Sequence, residues 1–396
     1  MLDCKKINEI NFQNKVAIIR VDFNVPLQEN LEVFDATRID NGVKSIKYIL
    51  KNKGKCVIMS HLGRPKGEGY EKKFSLENIL SYLEKKLNIK IPLIKDYYER
   101  NYSVNRFLEN NNIILLENLR FYSEEKENNK KFAKVLASFA DIYVNDAFGT
   151  CHRSHASTNA IVKEISTSCI GLLIEDELKN INKLLYKNKA PFTAILGGAK
   201  VSDKIGVIEK LIKVVDNIII GGAMANTFIK SQGGEIGNSI YEKDKLTVAD
   251  NLLKKAKEKN VNIFLPVDYV CSNSINEIKK VKTYDSYHIP DNLSGYDIGE
   301  KSIKIFTNII YESKTIIWNG PMGVFEVNKF SNGTFKISEA ISSSTIDGAY
   351  SLVGGGDSVA AINKNNNVNN ISFISTGGGA LLELLSKGTL PSLKLL

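Results

Sequence analysis

From Ala190 onward one unit recurs five times: a short apolar run rich in β-formers, a glycine cluster, then a helix-like segment. It reads as Phe192–Leu196 before Gly197-Gly198, as Asn217–Ile220 before Gly221-Gly222, and as Thr315–Trp318 before Asn319-Gly320-Pro321. It reads again as Ala349–Val353 before Gly354-Gly355-Gly356-Asp357, and as Ile371–Ser375 before Gly377-Gly378-Gly379. Strands that alternate with helices pair in parallel through crossovers, so this half predicts a doubly wound parallel sheet with all five glycine turns at one edge. A glycine at such a turn lets backbone N–H groups approach phosphate oxygens, and the helix that follows adds a favourable partial charge. Simple tight turns also use glycine, but five in register after apolar strands point to a nucleotide cradle.

The cradle follows neither common phosphate-loop pattern. No G-x-x-x-x-G-K-[ST] occurs, and Gly354 to Asp357 does not complete G-x-G-x-x-G. After the first glycine pair, Lys200 and Lys204 stand four apart, on one face if the helix has begun by then, and suit the charge of a polyphosphate. Asp357, before Ser358, could cap a helix or give magnesium the oxygen ligand that this hard cation prefers; the two roles are compatible.

The first half repeats the alternation with different turn chemistry. Val16–Val21, Val57–Ser60, Ile113–Leu116 and Ile142–Val144 are short apolar runs separated by amphipathic or polar stretches, which predicts a second parallel sheet. Ligands of such sheets bind beyond the carboxyl ends of the strands. At those ends stand Asp22-Phe23-Asn24, Ser60-His61-Leu62-Gly63-Arg64, Glu117-Asn118-Leu119-Arg120, and Asn145-Asp146 followed by His152-Arg153. Of 53 basic side chains only seven are arginine (Arg20, Arg38, Arg64, Arg100, Arg106, Arg120 and Arg153), and none follows Arg153. Where lysine serves elsewhere, arginine marks places that need a planar fork able to grip carboxylate or phosphate with two parallel bonds. Surface salt bridges suit Arg100 and Arg106; the other five read as a pocket for a small anion with at least one phosphate. His61, His152 and His155 lie in the same loops without zinc-site spacing, which favours anion contact over metal ligation. His288 is isolated and reads as structural or exposed.

At 396 residues the chain exceeds the size of a single hydrophobic core, in keeping with two domains. No apolar run is long enough to span a membrane, and the charged start lacks the apolar stretch of a signal peptide, so the expected location is the cytoplasm. The five cysteines show no C-x-x-C pair, which argues against a disulfide framework or a structural metal site. A net charge of +9 accompanies a bias toward Lys, Asn and Ile, with no basic stripe interleaved with aromatics, so neither a nucleic acid nor a membrane is an expected partner.

These segments resemble the phosphoglycerate kinase family over nearly the whole chain. The matching stretches include Arg20–Pro26, Ser60–Pro65, Leu116–Phe121, Tyr143–Gly149, Gly197–Lys204, Leu265–Asp268, Trp318–Glu326, Gly354–Asp357 and Ser375–Ala380, in the family's order and spacing. The resemblance implies two doubly wound, Rossmann-like α/β domains joined by an interdomain helix: a bilobal, hinge-bending kinase. Residues 1–171 would bind 3-phosphoglycerate or 1,3-bisphosphoglycerate through Asp22, Asn24, Arg38, His61, Arg64, Arg120 and Arg153. Arg20 and His152 would share that patch, with Phe23, Leu62 and Gly63 in the same turns. Residues 172–187 would form the connecting helix, and 188–379 the nucleotide domain. That domain would hold MgADP or MgATP through Gly197, Gly198, Lys204, Gly221, Gly222, Asn319, Glu326, Gly355, Gly356, Asp357 and Ser358, with Asp357 on the metal and Glu326 at the ribose. Residues 380–396 would return to the first domain.

In the family Arg38 and Lys200 are placed to stabilise the phosphoryl group in flight, and the working form implied is a monomer. Ala223 stands where a third glycine is frequent, Ser358 where threonine is usual, and Ser392 where the family often ends in Leu-Pro-Gly. None of these removes a charge from the expected chemistry. A kinase for acetate or aspartate would need fewer phosphate-gripping arginines, and a non-catalytic relative would be expected to lack Lys200, Arg38 or Asp357.

Overall fold

The computed structural model describes residues 4–99, 102–276, 281–365 and 370–396. Arg100 and most of the Asn-rich stretch from Lys364 to Asn370 lie outside them. The chain divides into two compact units, Met1–Lys179 with Thr389–Leu396, and Asn180–Gly388.

In the first unit β1 (Val16–Val21), β2 (Lys55–Met59), β3 (Leu93–Ile94), β4 (Ile113–Leu116), β5 (Ile142–Asp146) and β6 (Thr167–Ile170) form one sheet in the order β3-β4-β2-β1-β5-β6. Every neighbouring pair is parallel. Successive side chains leave a strand on opposite faces. Ile19, Val21, Ile58 and Leu115 accordingly enter one hydrophobic core, while Ile18, Val57, Ile114 and Leu116 enter another. Burial on both faces is why these strands read as unbroken apolar runs instead of alternating ones.

The second unit contributes β7 (Phe192–Leu196), β8 (Asn217–Ile220), β9 (Glu235–Ile236), β10 (Asn262–Phe264), β11 (Asp268–Ser272), β12 (Lys282–Asp285), β13 (His288–Ile289) and β14 (Ser294–Ile298). It ends with β15 (Thr315–Asn319), β16 (Tyr350–Gly354) and β17 (Phe373–Ile374). Six of these make a second all-parallel sheet in the order β10-β8-β7-β15-β16-β17. In addition, β12-β11-β14 form an antiparallel sheet and β9 pairs with β13, neither of which the sequence pattern announced. The last predicted strand, Ile371–Ser375, is regular only over Phe373–Ile374.

The helix Leu172–Tyr186 contains residues of both units. Its first turn is held by the buried Asp146, whose Oδ1 accepts from the N–H groups of Leu173 (2.9 Å) and Ile174 (3.3 Å). An acceptor there satisfies donors that have no partner inside the helix. The helix Gly379–Lys387 belongs to the second unit, so the chain rejoins the first at Thr389, later than the expected residue 380. There Ser392 N–H donates to Cys151 O at 3.2 Å, and the Cys4 thiol donates to Leu393 O at 3.5 Å.

Candidate functional site

In the first unit the turns after β1, β2 and β4 are tied to one another by their own polar groups. Ser60 Oγ donates to Val21 O at 2.8 Å and accepts from Phe23 N–H at 2.9 Å. Asn24 Oδ1 accepts from Gly63 N–H at 2.7 Å, and Arg120 Nη1 donates to Gly63 O at 2.9 Å. Asn118 Nδ2 donates to the carbonyls of Leu62 and Phe74. Gly63 sits at a φ of +64°, and a Cβ there would lie 2.2 Å from the Phe74 ring, so any other residue would be strained and would have to displace that ring.

This scaffold gathers charged and polar side chains around one end of the sheet. Arg38 Nη1 meets Asp22 Oδ2 at 2.8 Å, and Arg153 Nε donates to His152 Nε2 at 3.1 Å. Arg120 is buried, its Nε has no partner, and burial followed by the charges of Arg20 and Arg153 lowers its pKa to about 10. His61 is held well below the usual histidine range by burial, then by Arg20, Arg120, Arg38 and Arg153. His155 is pushed down to about 4, chiefly by burial and then by Arg120. Positive charge crowded this tightly gains most from an anion. Arg64 is exposed in the same turn, whereas Arg106 is exposed on the helix Tyr102–Asn110.

Phe23 and Leu62 put their side chains into the hydrophobic core, so what they offer a ligand at these turns is backbone. A cavity of about 880 Å³ lies among Lys15, Val16 and Lys55 at the amino ends of β1 and β2, the edge opposite the arginine-bearing turns.

In the second unit β7 and β15 are neighbours whose chain continuations diverge, the kind of switch point where open α/β sheets bind ligands. Their turns interlock through backbone alone. Gly197 N–H donates to Asn319 O and Gly198 N–H to Pro321 O, each at 3.0 Å. Gly222 N–H donates to Met322 O, also at 3.0 Å. A Cβ on Gly197 would stand 2.0 Å from Pro321 O, and one on Gly222 would stand 2.6 Å from Gly198 N, so only glycine permits this approach. Around them Asn319 Nδ2 donates to Gly354 O at 2.9 Å and Ser358 Oγ accepts from Gly320 N–H at 2.7 Å. Gly355, with φ +94°, leads into the helix Gly356–Lys364, whose first turn carries an exposed Asp357.

Lys200 and Lys204 do not share a helical face. The helix begins at Ile205, because Val201 to Lys204 form a turn closed by Lys204 N–H to Val201 O at 2.8 Å. Lys200 is left exposed, while Lys204 is buried and its Nζ donates to Gly197 O at 2.6 Å. Burial lowers the Lys204 pKa to about 8, against the opposing pull of Asp203 and Asp357.

A cavity of about 430 Å³ opens beside these turns, walled by Gly198, Gly222, Tyr269, Tyr296, Glu326 and Asp357. Four of these six were predicted from sequence; Tyr269 and Tyr296 were not, since they come from the antiparallel sheet. No group of three or more His, Cys, Asp or Glu side chains able to hold a metal ion occurs among the described residues.

The phosphoglycerate kinase family model matches residues 7–388. A phosphoglycerate kinase of Finegoldia magna is 47% identical over 392 residues, covering 98% of each chain. The cytosolic phosphoglycerate kinase 3 of Arabidopsis thaliana is 44% identical, covering 97% of this chain and 96% of its own. Among solved structures, the phosphoglycerate kinase of Coxiella burnetii superimposes with a TM-score of 0.87 at 38% identity, over 99% of this chain and 98% of its own. With matched glycine turns, ordered arginines and both parallel sheets in place, the chain belongs to the phosphoglycerate kinase family, the glycolytic phosphotransferases that move a phosphoryl group reversibly between 1,3-bisphosphoglycerate and ADP.

Proposed function

We propose that the first unit binds 3-phosphoglycerate or 1,3-bisphosphoglycerate through Asp22, Asn24, Arg38, His61, Arg64, Arg120 and Arg153. The second unit binds ADP or ATP through the turns at Gly197-Gly198, Gly221-Gly222, Asn319 and Gly355–Ser358, with Lys204 on the phosphates and Glu326 at the ribose. The observation that carries this reading is Arg120, a buried guanidinium beside two others, an arrangement that a bound anion relieves.

Magnesium enters as part of the nucleotide substrate. It usually keeps several waters and takes one or two carboxylates besides phosphate oxygens, and the exposed Asp357 at the Gly354–Gly356 turn fits that need. When bound, it neutralises charge on the phosphates. The acyl phosphate is already a good donor, so the chain's task is alignment and charge neutralisation, with transfer in line and no phosphoenzyme. Arg38 and Lys200 supply positive charge to the transferring group, and the glycine-turn N–H groups are ready donors that need no reorganisation. We further propose a cytoplasmic monomer; the five buried thiols, none in a disulfide, suit a reducing compartment.

A coupled assay with 3-phosphoglycerate and MgATP, run beside acetate and aspartate, tests the substrate. Turnover with acetate but not 3-phosphoglycerate would overturn it. Lys200→Ala should leave nucleotide affinity within a few-fold while nearly abolishing turnover, and wild-type turnover in that variant would remove Lys200 from the mechanism.

A further inference from the structure

Arg20 lies among the anion-site residues in sequence, yet its side chain is fully buried and each of its three guanidinium nitrogens has a partner within the protein. Its Nε donates to Ser157 Oγ at 3.0 Å, its Nη1 to the carbonyl of Val21, and its Nη2 faces His61 Nδ1 at 3.0 Å. Ser157 is itself fixed: its hydroxyl donates to Glu125 Oε1 at 2.6 Å and its N–H to Glu125 Oε2 at 2.9 Å. Glu125 is completely buried. A carboxylate, a hydroxyl, a guanidinium and an imidazole thus form one interior chain ending at a proposed substrate residue.

A guanidinium has donors only, so the His61 nitrogen that faces it must accept. We propose that Arg20 is a positioning residue: it fixes His61 with Nδ1 as acceptor and the ring proton on Nε2, which becomes the hydrogen bond His61 offers to the acid substrate. Imidazolium, or the tautomer protonated at Nδ1, would set donor against donor at 3.0 Å. The charged groups around the ring agree. Arg20, Arg38, Arg120 and Arg153 all disfavour imidazolium, and the one acid near it, Asp22, stands 3.9 Å from Nδ1, beyond hydrogen-bond range, with its other oxygen on Arg38. Glu125 acts through Ser157 to hold Arg20 in place, which gives this buried carboxylate a part to play beyond packing. Buried ionic groups are costly to keep, and a role in specifying one arrangement is a reason to retain them.

The inference rests on His61 as a substrate residue, but its central measurement does not. Nitrogen NMR of the full chain labelled at histidine, with His61 assigned by its loss in His61→Gln, distinguishes the two ring nitrogens directly. The expected wild-type pattern is an unprotonated Nδ1 and a protonated Nε2, unchanged between about pH 8 and about pH 6, where an ordinary histidine begins to charge. Arg20→Met should give mixed tautomers, and its KM for 3-phosphoglycerate should rise about tenfold with kcat changed less than about threefold, the signature of lost ground-state binding. A protonated Nδ1 in the wild type, or the same pattern with and without Arg20, would overturn the proposal. Should Arg20→Met fail to fold, the wild-type spectrum still decides, and Ser157→Ala should shift it part of the way toward mixed tautomers. An unchanged KM in His61→Gln would instead strike at the substrate-site reading, leaving the tautomer result intact.

Discussion

Lys204 makes nucleotide binding depend on pH in a direction that can be worked out. Its ammonium is buried against Gly197 O, and burial brings its pKa down to about 8. Bound phosphates would place negative charge beside it and favour the protonated form, restoring a value near the ordinary ~10.4 of lysine. Between these two values the complex holds more protons than the free protein, so binding takes up protons and weakens as pH rises. With those values, uptake should reach about half a proton per site at pH 8, and affinity should fall about tenfold from pH 7 to pH 9. Excess magnesium keeps the nucleotide phosphates fully ionised across this window, so they add no slope of their own. Calorimetry of MgADP binding in buffers of different ionisation heat reads the uptake directly, and Lys204→Met should abolish both the uptake and the pH slope at the price of weaker binding. Affinity that stays level from pH 7 to pH 9, or a slope that survives in Lys204→Met, would refute the reasoning.

Arg38→Ala should lower turnover by about a thousandfold, by the precedent of arginines that stabilise phosphoryl transfer, and steady-state kinetics at saturating substrates would check it. Gly197→Ala would drive a Cβ to 2.0 Å from Pro321 O. Backbone cannot yield as a side-chain tip does, so the expected cost is roughly 1–3 kcal/mol in urea unfolding, together with at least tenfold weaker nucleotide binding. Burial raises the Asp146 pKa to about 7, above its unfolded value, so the stability it contributes is complete below the unfolded pKa and is lost as pH rises toward 7. Asp146→Asn keeps an acceptor for Leu173 and Ile174 but cannot ionise. Its unfolding free energy relative to wild type should therefore increase by roughly 2–3 kcal/mol between pH 5 and pH 8.

The legible parts of this fold were those in which one physical demand dominated each residue. Val16–Val21, Ile113–Leu116, Phe192–Leu196 and Asn217–Ile220 have the bounds read from sequence, because central parallel strands are buried on both faces. The glycine turns were legible for a related reason: Gly197 and Gly222 stand where any Cβ would strike backbone. Legibility failed where the demand was tertiary. The strand Lys282–Asp285 is largely exposed and carries no apolar alternation, so nothing local marks it. Tyr269 and Tyr296, from that small sheet, wall the cavity beside the glycine turns and were not legible in the sequence for the same reason. Spacing would put Lys200 and Lys204 on one helical face only had the helix begun by then; the turn ending at Lys204 delays it to Ile205 and sends the two ammonium groups into different environments. For Phe23 and Leu62, position among the polar turn residues placed the backbone at the strand ends but could not show that the side chains complete the core.

On the proposed reading the two units hold phosphate at the carboxyl edge of a parallel sheet with opposite materials. In the second unit the donors are mainly backbone, and interlocked turns fix them before any ligand arrives, so they carry only partial charge and repel one another weakly. In the first the donors are arginine forks. Burial first, and then the charges of Arg20 and Arg153, depress the Arg120 pKa despite the opposing carboxylates of Glu125 and Asp22. Guanidinium forks bring specificity for a small acid whose carboxylate and phosphate must be held apart and in register, which a row of equivalent amides cannot supply. Their mutual repulsion is the physical reason each needs a tether of its own: Asp22 for Arg38, Gly63 O for Arg120, and the buried Ser157 and Glu125 for Arg20. On that reading the acids and carbonyls threaded through this arginine cluster serve the proposed site as much as the arginines do, since they hold those charges in the alignment that phosphoryl transfer requires.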